Sequence, residues 1–229
     1  MMSYYLNLSV LSNNDNDRRK RAEYRKLLSA EARRILSLCE GRPITEDDIA
    51  REASGRPFFP NRDTDFSISH SGALTAVSLV RGKLLRTGCD VELVRPRARA
   101  REIAQEFFTA PERIYIDSDS RPDGTRFYQI WTLKECFLKL RGLSVFDMAC
   151  VPSFISNEGF LNIRLGEISF NIYEFAGNED EHYVVATAIE RGEEQPEIRW
   201  FSKDFLKLNI YKEFTTNHTN QHEQRQDVC

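Results

Sequence analysis

The chain has 229 residues, 41% of them hydrophobic and 11% aromatic, enough for a sizeable core in one large domain or in two of about 100 residues. A formal net charge of −3 gives no general attraction for nucleic acid or an anionic membrane, and no apolar run is long enough to span a bilayer. The start MMSYYLNLSV lacks the features of a signal peptide, and the five cysteines (Cys39, Cys89, Cys136, Cys150, Cys229) are scattered without zinc-type or redox spacing, so a soluble, reduced, cytoplasmic protein is expected.

Tyr4 to Val10 alternates as a first strand. The polar stretch Ser12 to Asp17 offers a turn and N-cap residues, and a helix is expected from there to about Cys39, burying Tyr24, Leu28, Ala32, Ile35 and Cys39. Its first turns hold Arg18, Arg19, Lys20, Arg21, Arg25 and Lys26. Cations there oppose the helix dipole; they are a solvated surface or a site for a polyanion, for which Arg suits phosphate best. Pro43 and Thr45-x-x-Asp48 open a short helix through Glu52. In the Gly- and Pro-rich loop from Ala53 to Asp65, Gly55 and Pro57 fix the turns around Arg56 while Phe58 and Phe59 anchor it.

Phe66-Ser-Ile-Ser-His-Ser-Gly72 reads as a short strand with Ser67 and Ser69 opposite Phe66 and Ile68 and with His70 at its end. A lone His is more often structural than functional. Imidazole, hydroxyl and exposed N–H groups all donate, so the functional reading is an anion pocket. Leu74–Val80 and Leu84–Val94 are expected as a hairpin turning at Arg81-Gly82-Lys83. On the second of these strands Asp90 and Glu92 share one face and Cys89 and Val91 the other. Paired carboxylates raise each other's pKa unless a cation binds between them. A solvated strand face is the plain alternative, but Gly88 and the apolar flanks favour a buried strand end, where hard oxygen ligands suit Mg2+.

Arg95-Pro96-Arg97 breaks the strand and divides the chain into an N-terminal half (1–97), a C-terminal half (98–203) and a mobile polar extension (204–229). Ala98 to Phe108 reads as helix. Thr109-Ala-Pro-Glu112 is a capping box for the next helix, so Glu112 is a cap first and a catalyst second. Asp117 to Gly124 is a polar loop. The central helix is Phe127 to Gly142, FYQIWTLKECFLKLRG. Ile130, Leu133, Phe137 and Leu140 form its apolar stripe; Trp131, Glu135 and Lys139 stand four apart on a second face, and Gly142 marks its C-cap. Alone, Glu135 and Lys139 would be a surface ion pair worth about 0.3–0.5 kcal/mol. With Asp90 and Glu92 they make three carboxylates that can hold one Mg2+ with positions open for phosphate, and a lysine beside them. Phe160–Leu165, Ile168–Phe175, Tyr183–Glu190 and Glu197–Phe201 then read as an antiparallel meander, with turns at Glu179-Asp180-Glu181 and Gly192-Glu193-Glu194. Each half gives a helix and strands. The expected class is α+β, a pseudo-twofold duplication of a helix packed on a small, mainly antiparallel sheet, although no clean sequence repeat marks it.

In order, Gly55-Arg56-Pro57, Phe66-Ser-Ile-Ser-His-Ser-Gly72, Gly88-Cys-Asp-Val-Glu92, Phe108-Thr-Ala-Pro-Glu112 and Trp131-Thr-Leu-Lys-Glu-Cys-Phe-Leu-Lys139 resemble the motifs of the 4'-phosphopantetheinyl transferases, in particular the larger, single-chain, duplicated type that acts on surfactin-like synthetases. These stretches span most of residues 25 to 142. The resemblance implies transfer of the phosphopantetheine arm of coenzyme A to a serine of an acyl or peptidyl carrier protein of fatty-acid, polyketide or nonribosomal-peptide synthesis, with adenosine 3',5'-bisphosphate as the other product. It implies Mg2+, or Mn2+, on Asp90, Glu92 and Glu135, and Lys139 as the group that neutralises or protonates the leaving phosphate. Glu112 takes the position of an acidic residue tied to the metal water or to proton removal from serine. Arg25, Arg56 and His70 correspond to the grip on the nucleotide 3'-phosphate, with Gly55, Pro57, Ser69 and Ser71 around it. A monomer is expected. Where the family has Lys-x-x-Gly-x-Gly-Leu, this chain has Lys139-Leu-Arg-Gly-Leu-Ser144, at a segment that borders the carrier groove, and Cys136 replaces the usual Ala or Ser. Two alternatives stand beside this reading. A different Mg2+-dependent phosphoryl-transfer enzyme or nuclease would need a nucleic-acid track of interleaved basic and aromatic residues, which the chain lacks. A catalytically weak homologue that only binds coenzyme A or a carrier would not need the intact carboxylates and Lys139.

Overall fold

A computed structural model describes residues 2–11, 18–60, 63–121, 124–176, 181–191, 195–201 and 209–214. β1 (Ser3–Val10) is followed by α1 (Arg18–Glu40), which buries Leu28, Ala32, Ile35 and Leu36. Ser12 to Asp17, the side chains of the basic run from Arg18 to Arg21, the turn at 192–194, most of the turn at 179–181 and the stretch from Thr215 on lie outside the described residues. The helix expected through Glu52 is only a 3-10 turn, Glu46–Asp48: the Thr45 N–H donates to Asp48 Oδ2 at 2.9 Å and the chain becomes extended at Ile49. β2 (Ala50–Arg51) and β3 (Pro57–Phe58) make a small antiparallel pair.

β4 (Thr64–Ser71) and β5 (Leu74–Arg81) pair as a hairpin, with β1 on the other side of β5. The hairpin expected between β5 and β6 (Arg86–Leu93) does not form. β6 pairs instead with β9 (His182–Glu190), which also pairs with β8 (Ile168–Ala176). The reason lies in burial. Cys89, Val91 and Leu93 fill the layer between the sheets while Gly88 lies under a helix, and only the apolar run of β9 offers a partner for both faces.

The expected four-strand meander is corrected in the same way. Its first member shrinks to β7 (Arg164–Leu165), and its last, β10 (Glu197–Trp200), leaves to pair parallel with β1. Part of the extension expected to be mobile, Asn209–Phe214, is β11, an antiparallel partner of β8. The two sheets therefore run β10-β1-β5-β4 and β11-β8-β9-β6. Each contains a strand from the other half, so the division at residue 97 does not separate them.

α2 (Ala100–Phe107), α3 (Ala110–Asp117) and α4 (Thr125–Arg141) complete the α+β fold. α1 packs on the outer face of the first sheet through Ala32, Ile35, Leu36, Phe66, Val77 and Leu79. α4 packs on the outer face of the second through Ile130, Leu133, Phe170, Ile172, Val184 and Ala186. Leu6, Leu8, Ala76, Val91, Tyr173 and Val185 lie between the sheets. Helix-on-sheet thus occurs twice, sheet against sheet. Among the described residues no helix is long and apolar enough to cross a membrane.

Candidate active site

α4 meets β6 at Gly88. A Cβ there would stand 2.4 Å from the Cys136 carbonyl oxygen and 2.9 Å from Leu140 Cβ, so only glycine allows this approach. The contact sets Asp90 and Glu92, further along β6, beside the turn of α4 that carries Glu135 and Lys139. α4 stops at Gly142, whose φ of 67° is left-handed, and Leu143 N–H closes on the Leu138 carbonyl at 2.8 Å.

Asp90 is 4% exposed. Its Oδ1 accepts from Lys139 Nζ at 2.7 Å and from Ser69 Oγ at 2.7 Å, and Lys139 Nζ also donates to Ser69 Oγ at 2.8 Å. Asp90 Oδ2 is buried with no hydrogen-bond partner among the described residues. Glu92 accepts from Trp131 Nε1 and from Ser71 Oγ, each at 3.1 Å. Burial and the Asp90 charge push the Glu92 carboxyl up. Burial, then Asp90 and Glu92, push Glu135 further, to about 7, against the pull of Lys139. Burial works against the Lys139 charge, but Asp90 and its other acidic neighbours outweigh it and hold the ammonium above its ordinary value. Trp131 stacks on Phe127, with ring centroids 6.0 Å apart, and carries the Arg97 guanidinium 4.9 Å from its own ring centroid. The sequence reading passed over Arg97; as an arginine in a strand-breaking Arg-Pro-Arg segment it had no local mark.

Among the described residues no three His, Cys, Asp or Glu side chains stand close enough together to hold a metal ion as they are placed. The donor chemistry fits a hard divalent cation all the same. Three carboxylates act on one another's charge, Glu135 is pushed up to about 7 by burial and then by Asp90 and Glu92, and Asp90 Oδ2 lacks a donor among the described residues. The Lys139 ammonium stands 2.7 Å from Asp90 Oδ1.

The serines of β4 do something the sequence did not disclose. β6 is an edge strand, and the N–H groups along its open side are satisfied by side chains at alternate positions of β4. Thr87 N–H donates to Asp65 Oδ2 at 2.8 Å, Cys89 N–H to Ser67 Oγ at 3.1 Å and Leu93 N–H to Ser71 Oγ at 3.0 Å. Ser69 completes the row by turning to Asp90. Ser69 and Ser71 are thus engaged with the carboxylates. His70, on the opposite face of β4, reaches solvent; partial burial, then the charges of Lys139 and Arg25, lower its pKa. Lys139 and Arg25 lie close enough to His70 for their charges to act on it; Gly55 lies exposed with φ 88° and Pro57 is in β3. Arg56, 8% exposed, bonds inward.

Glu112 is placed elsewhere. It caps α3, accepting the Thr109 N–H at 2.8 Å, and is completely buried. Its carboxylate meets Lys134 Nζ at 3.2 Å and accepts the Phe154 N–H at 3.0 Å, while Lys134 Nζ donates to the Val151 carbonyl at 3.2 Å. Burial lowers the Lys134 pKa, partly offset by Glu112. Lys134 did carry a signal in the sequence: a charge beside Leu133, on a helix that is apolar on nearly every side.

Residues 86–188 match the family model of the 4'-phosphopantetheinyl transferase superfamily, a span that includes Asp90, Glu92, Glu112, Glu135 and Lys139. That part of the chain is thus similar to this superfamily of transferases. It is 36% identical over 109 residues to the 4'-phosphopantetheinyl transferase AcpT of Escherichia coli strain K12, covering 46% of this chain and 54% of that one. It is 32% identical over 138 residues to a 4'-phosphopantetheinyl transferase of Bacillus subtilis, covering 58% of each. With the 4'-phosphopantetheinyl transferase psf-1 of Bacillus pumilus it shares 28% identity over 138 residues, 58% of this chain and 56% of that one. The chain spans about half the length of the curated relatives it matches.

Proposed function

We propose that this chain transfers the 4'-phosphopantetheine arm of coenzyme A to a serine of an acyl or peptidyl carrier protein, with Mg2+, releasing adenosine 3',5'-bisphosphate. The observation that carries the reading is the meeting of Asp90 and Glu92 on β6 with Glu135 and Lys139 on α4, inside the matched domain. Asp90, Glu92 and Glu135 would hold the ion; bound there it would neutralise charge on the pyrophosphate. The serine Oγ forms a bond to the phosphorus that bears the pantetheine arm, and the bond from that phosphorus to the bridging oxygen breaks. Lys139, charged and next to the carboxylates, neutralises the phosphate that leaves on the nucleotide. The serine proton passes to water or to a carboxylate at the open edge; Glu112 is sealed by Lys134 and Phe154 and is left out of this step. His70 and Arg25 are the side chains offered for the 3'-phosphate. Trp131 orients Glu92 through its indole N–H.

The test is mass spectrometry of an apo carrier protein incubated with the chain, coenzyme A and Mg2+. A gain of one phosphopantetheine arm, absent with EDTA and in Asp90→Ala, is expected. No gain with acyl and peptidyl carriers alike, together with no binding of coenzyme A in calorimetry, would overturn the reading.

A further inference from the structure

Arg56 sits in a Gly-Arg-Pro loop and is the arginine most readily assigned to a phosphate, yet its guanidinium is already spent on the protein. The side chain is 6% exposed. Nε donates to the Lys139 carbonyl at 3.0 Å; Nη1 donates to Asp65 Oδ1 at 3.0 Å; Nη2 donates to Asp65 Oδ2 at 2.5 Å and to the Thr87 carbonyl at 3.1 Å. Nη1 also lies 3.7 Å from Glu52 Oε1, an ion-pair distance. A guanidinium has five N–H groups, and here four of them are hydrogen-bonded to protein oxygens.

The acceptors come from three elements. The Lys139 carbonyl belongs to the last turn of α4, where carbonyls lack the regular helical donor; its other donor is the C-cap Gly142 N–H at 3.3 Å. Asp65 lies on β4 and also accepts the Thr87 N–H, so the Arg56–Asp65 pair gives Thr87 of β6 both a donor and an acceptor, as a neighbouring strand would. The loop that presents Arg56 is fixed independently. Glu52 N–H donates to the Arg56 carbonyl at 2.9 Å and Gly55 N–H to the Glu52 carbonyl at 2.8 Å, and Arg86 Nη2 bonds Glu52 Oε1 at 2.7 Å. Gly142 presses on the same loop: a Cβ there would stand 2.9 Å from Ser54 Oγ. Turning Arg56 outward would take from Asp65 its counter-charge and from the buried Thr87 carbonyl its donor, and would leave the Lys139 carbonyl only the Gly142 N–H at 3.3 Å.

We infer that Arg56 is a positioning residue that pins the C-terminal turn of α4, and with it Lys139, to β4 and β6, and that it is not a phosphate ligand. The inference rests on the transfer reading above for its kinetic readout and on the fold alone for its stability readout. The variants are Arg56→Gln, Asp65→Asn, their double, and His70→Ala. Coenzyme A and 3'-dephospho-coenzyme A are compared as substrates and, by calorimetry, as ligands. Arg56→Gln and Asp65→Asn are each expected to lower kcat by about tenfold or more, through misplacement of Lys139, and to leave the preference for the 3'-phosphorylated substrate unchanged, whereas His70→Ala erodes that preference. Loss of the preference in Arg56→Gln but not in Asp65→Asn would overturn the inference, as would an unchanged kcat in both. Thermal melting of the parent, the two singles and the double decides the clamp without any ligand. A double no less stable than the worse single is expected, and additive losses would overturn it. A parent chain that binds neither coenzyme overturns the transfer reading instead, with melting still deciding the clamp.

Discussion

Glu135 is where the site's electrostatics are most consequential for a single residue. Its carboxyl titrates near 7 in the fold against 4.5 ordinarily, so the folded protein holds a proton that the unfolded chain has released. A raised carboxyl pKa stabilises below 4.5, and that stabilisation is lost as pH rises through 7. In EDTA, melting temperature is therefore expected to fall across this window, and the fall is expected to shrink in Glu135→Gln; equal slopes in both would contradict the placement of Glu135. A divalent ion needs the deprotonated carboxylates, so Mg2+ is expected to raise the melting temperature above pH 7 more than below it. At about a hundred times its Kd the ion adds about 2.7 kcal/mol. Asp90→Ala is expected to remove that shift, measured by differential scanning fluorimetry with and without Mg2+. Ser69→Ala should weaken the same shift in part, because Ser69 orients Asp90 Oδ1.

At the scale of elements, α4 joins the two pieces of chemistry, and what holds it is mostly outside the reactive region. Gly88→Ala would drive a methyl into the Cys136 carbonyl, 2.4 Å away, and is expected to displace α4 from β6, lowering both stability and activity in urea melts and transfer assays. The Glu112–Lys134 pair locks α4 to the start of α3 and to the chain at Val151–Phe154. Glu112→Gln leaves a buried ammonium without its counter-charge and is expected to cost about 3–5 kcal/mol. Glu112→Gln combined with Lys134→Met should recover much of that loss, and transfer activity should return with stability. A stable but inactive double variant would instead make Glu112 a participant in proton transfer. The spacing of the central helix, the Thr109–Glu112 cap and the shared face of Asp90 and Glu92 were legible because each depends on residues within a turn or two of one another. Lys134 as the partner of Glu112, and the β4 serines as partners of the β6 edge, were not. Those pairs are 22 residues apart in the chain and come together only through the packing.

The whole molecule is held by an exchange of strands. β6, from the first half, completes the second sheet, and β10, from the second, lies parallel on β1 of the first. Residues 1–97 alone would leave β6 without β9, and residues 98–229 alone would leave β9 with an open edge and β10 without β1. Neither segment is expected to fold by itself, while the intact chain is expected to unfold in one calorimetric transition; two resolved transitions, or a folded 1–97 segment by circular dichroism, would contradict the interlocking.

By itself the sequence determined α1 to α4, most strand positions, the carboxylate pair on β6 and the carboxylate and lysine on α4, since periodicity, caps and same-face spacing are local properties of the backbone. Only the tertiary structure decided that β6 leaves its neighbour for β9, that Arg56 turns inward to Lys139 and Asp65, and that Glu112 is neutralised by Lys134. Strand partners and the ends of long side chains are chosen by which distant groups can bury an apolar face or complete a hydrogen bond, and that choice is made only when the layers close.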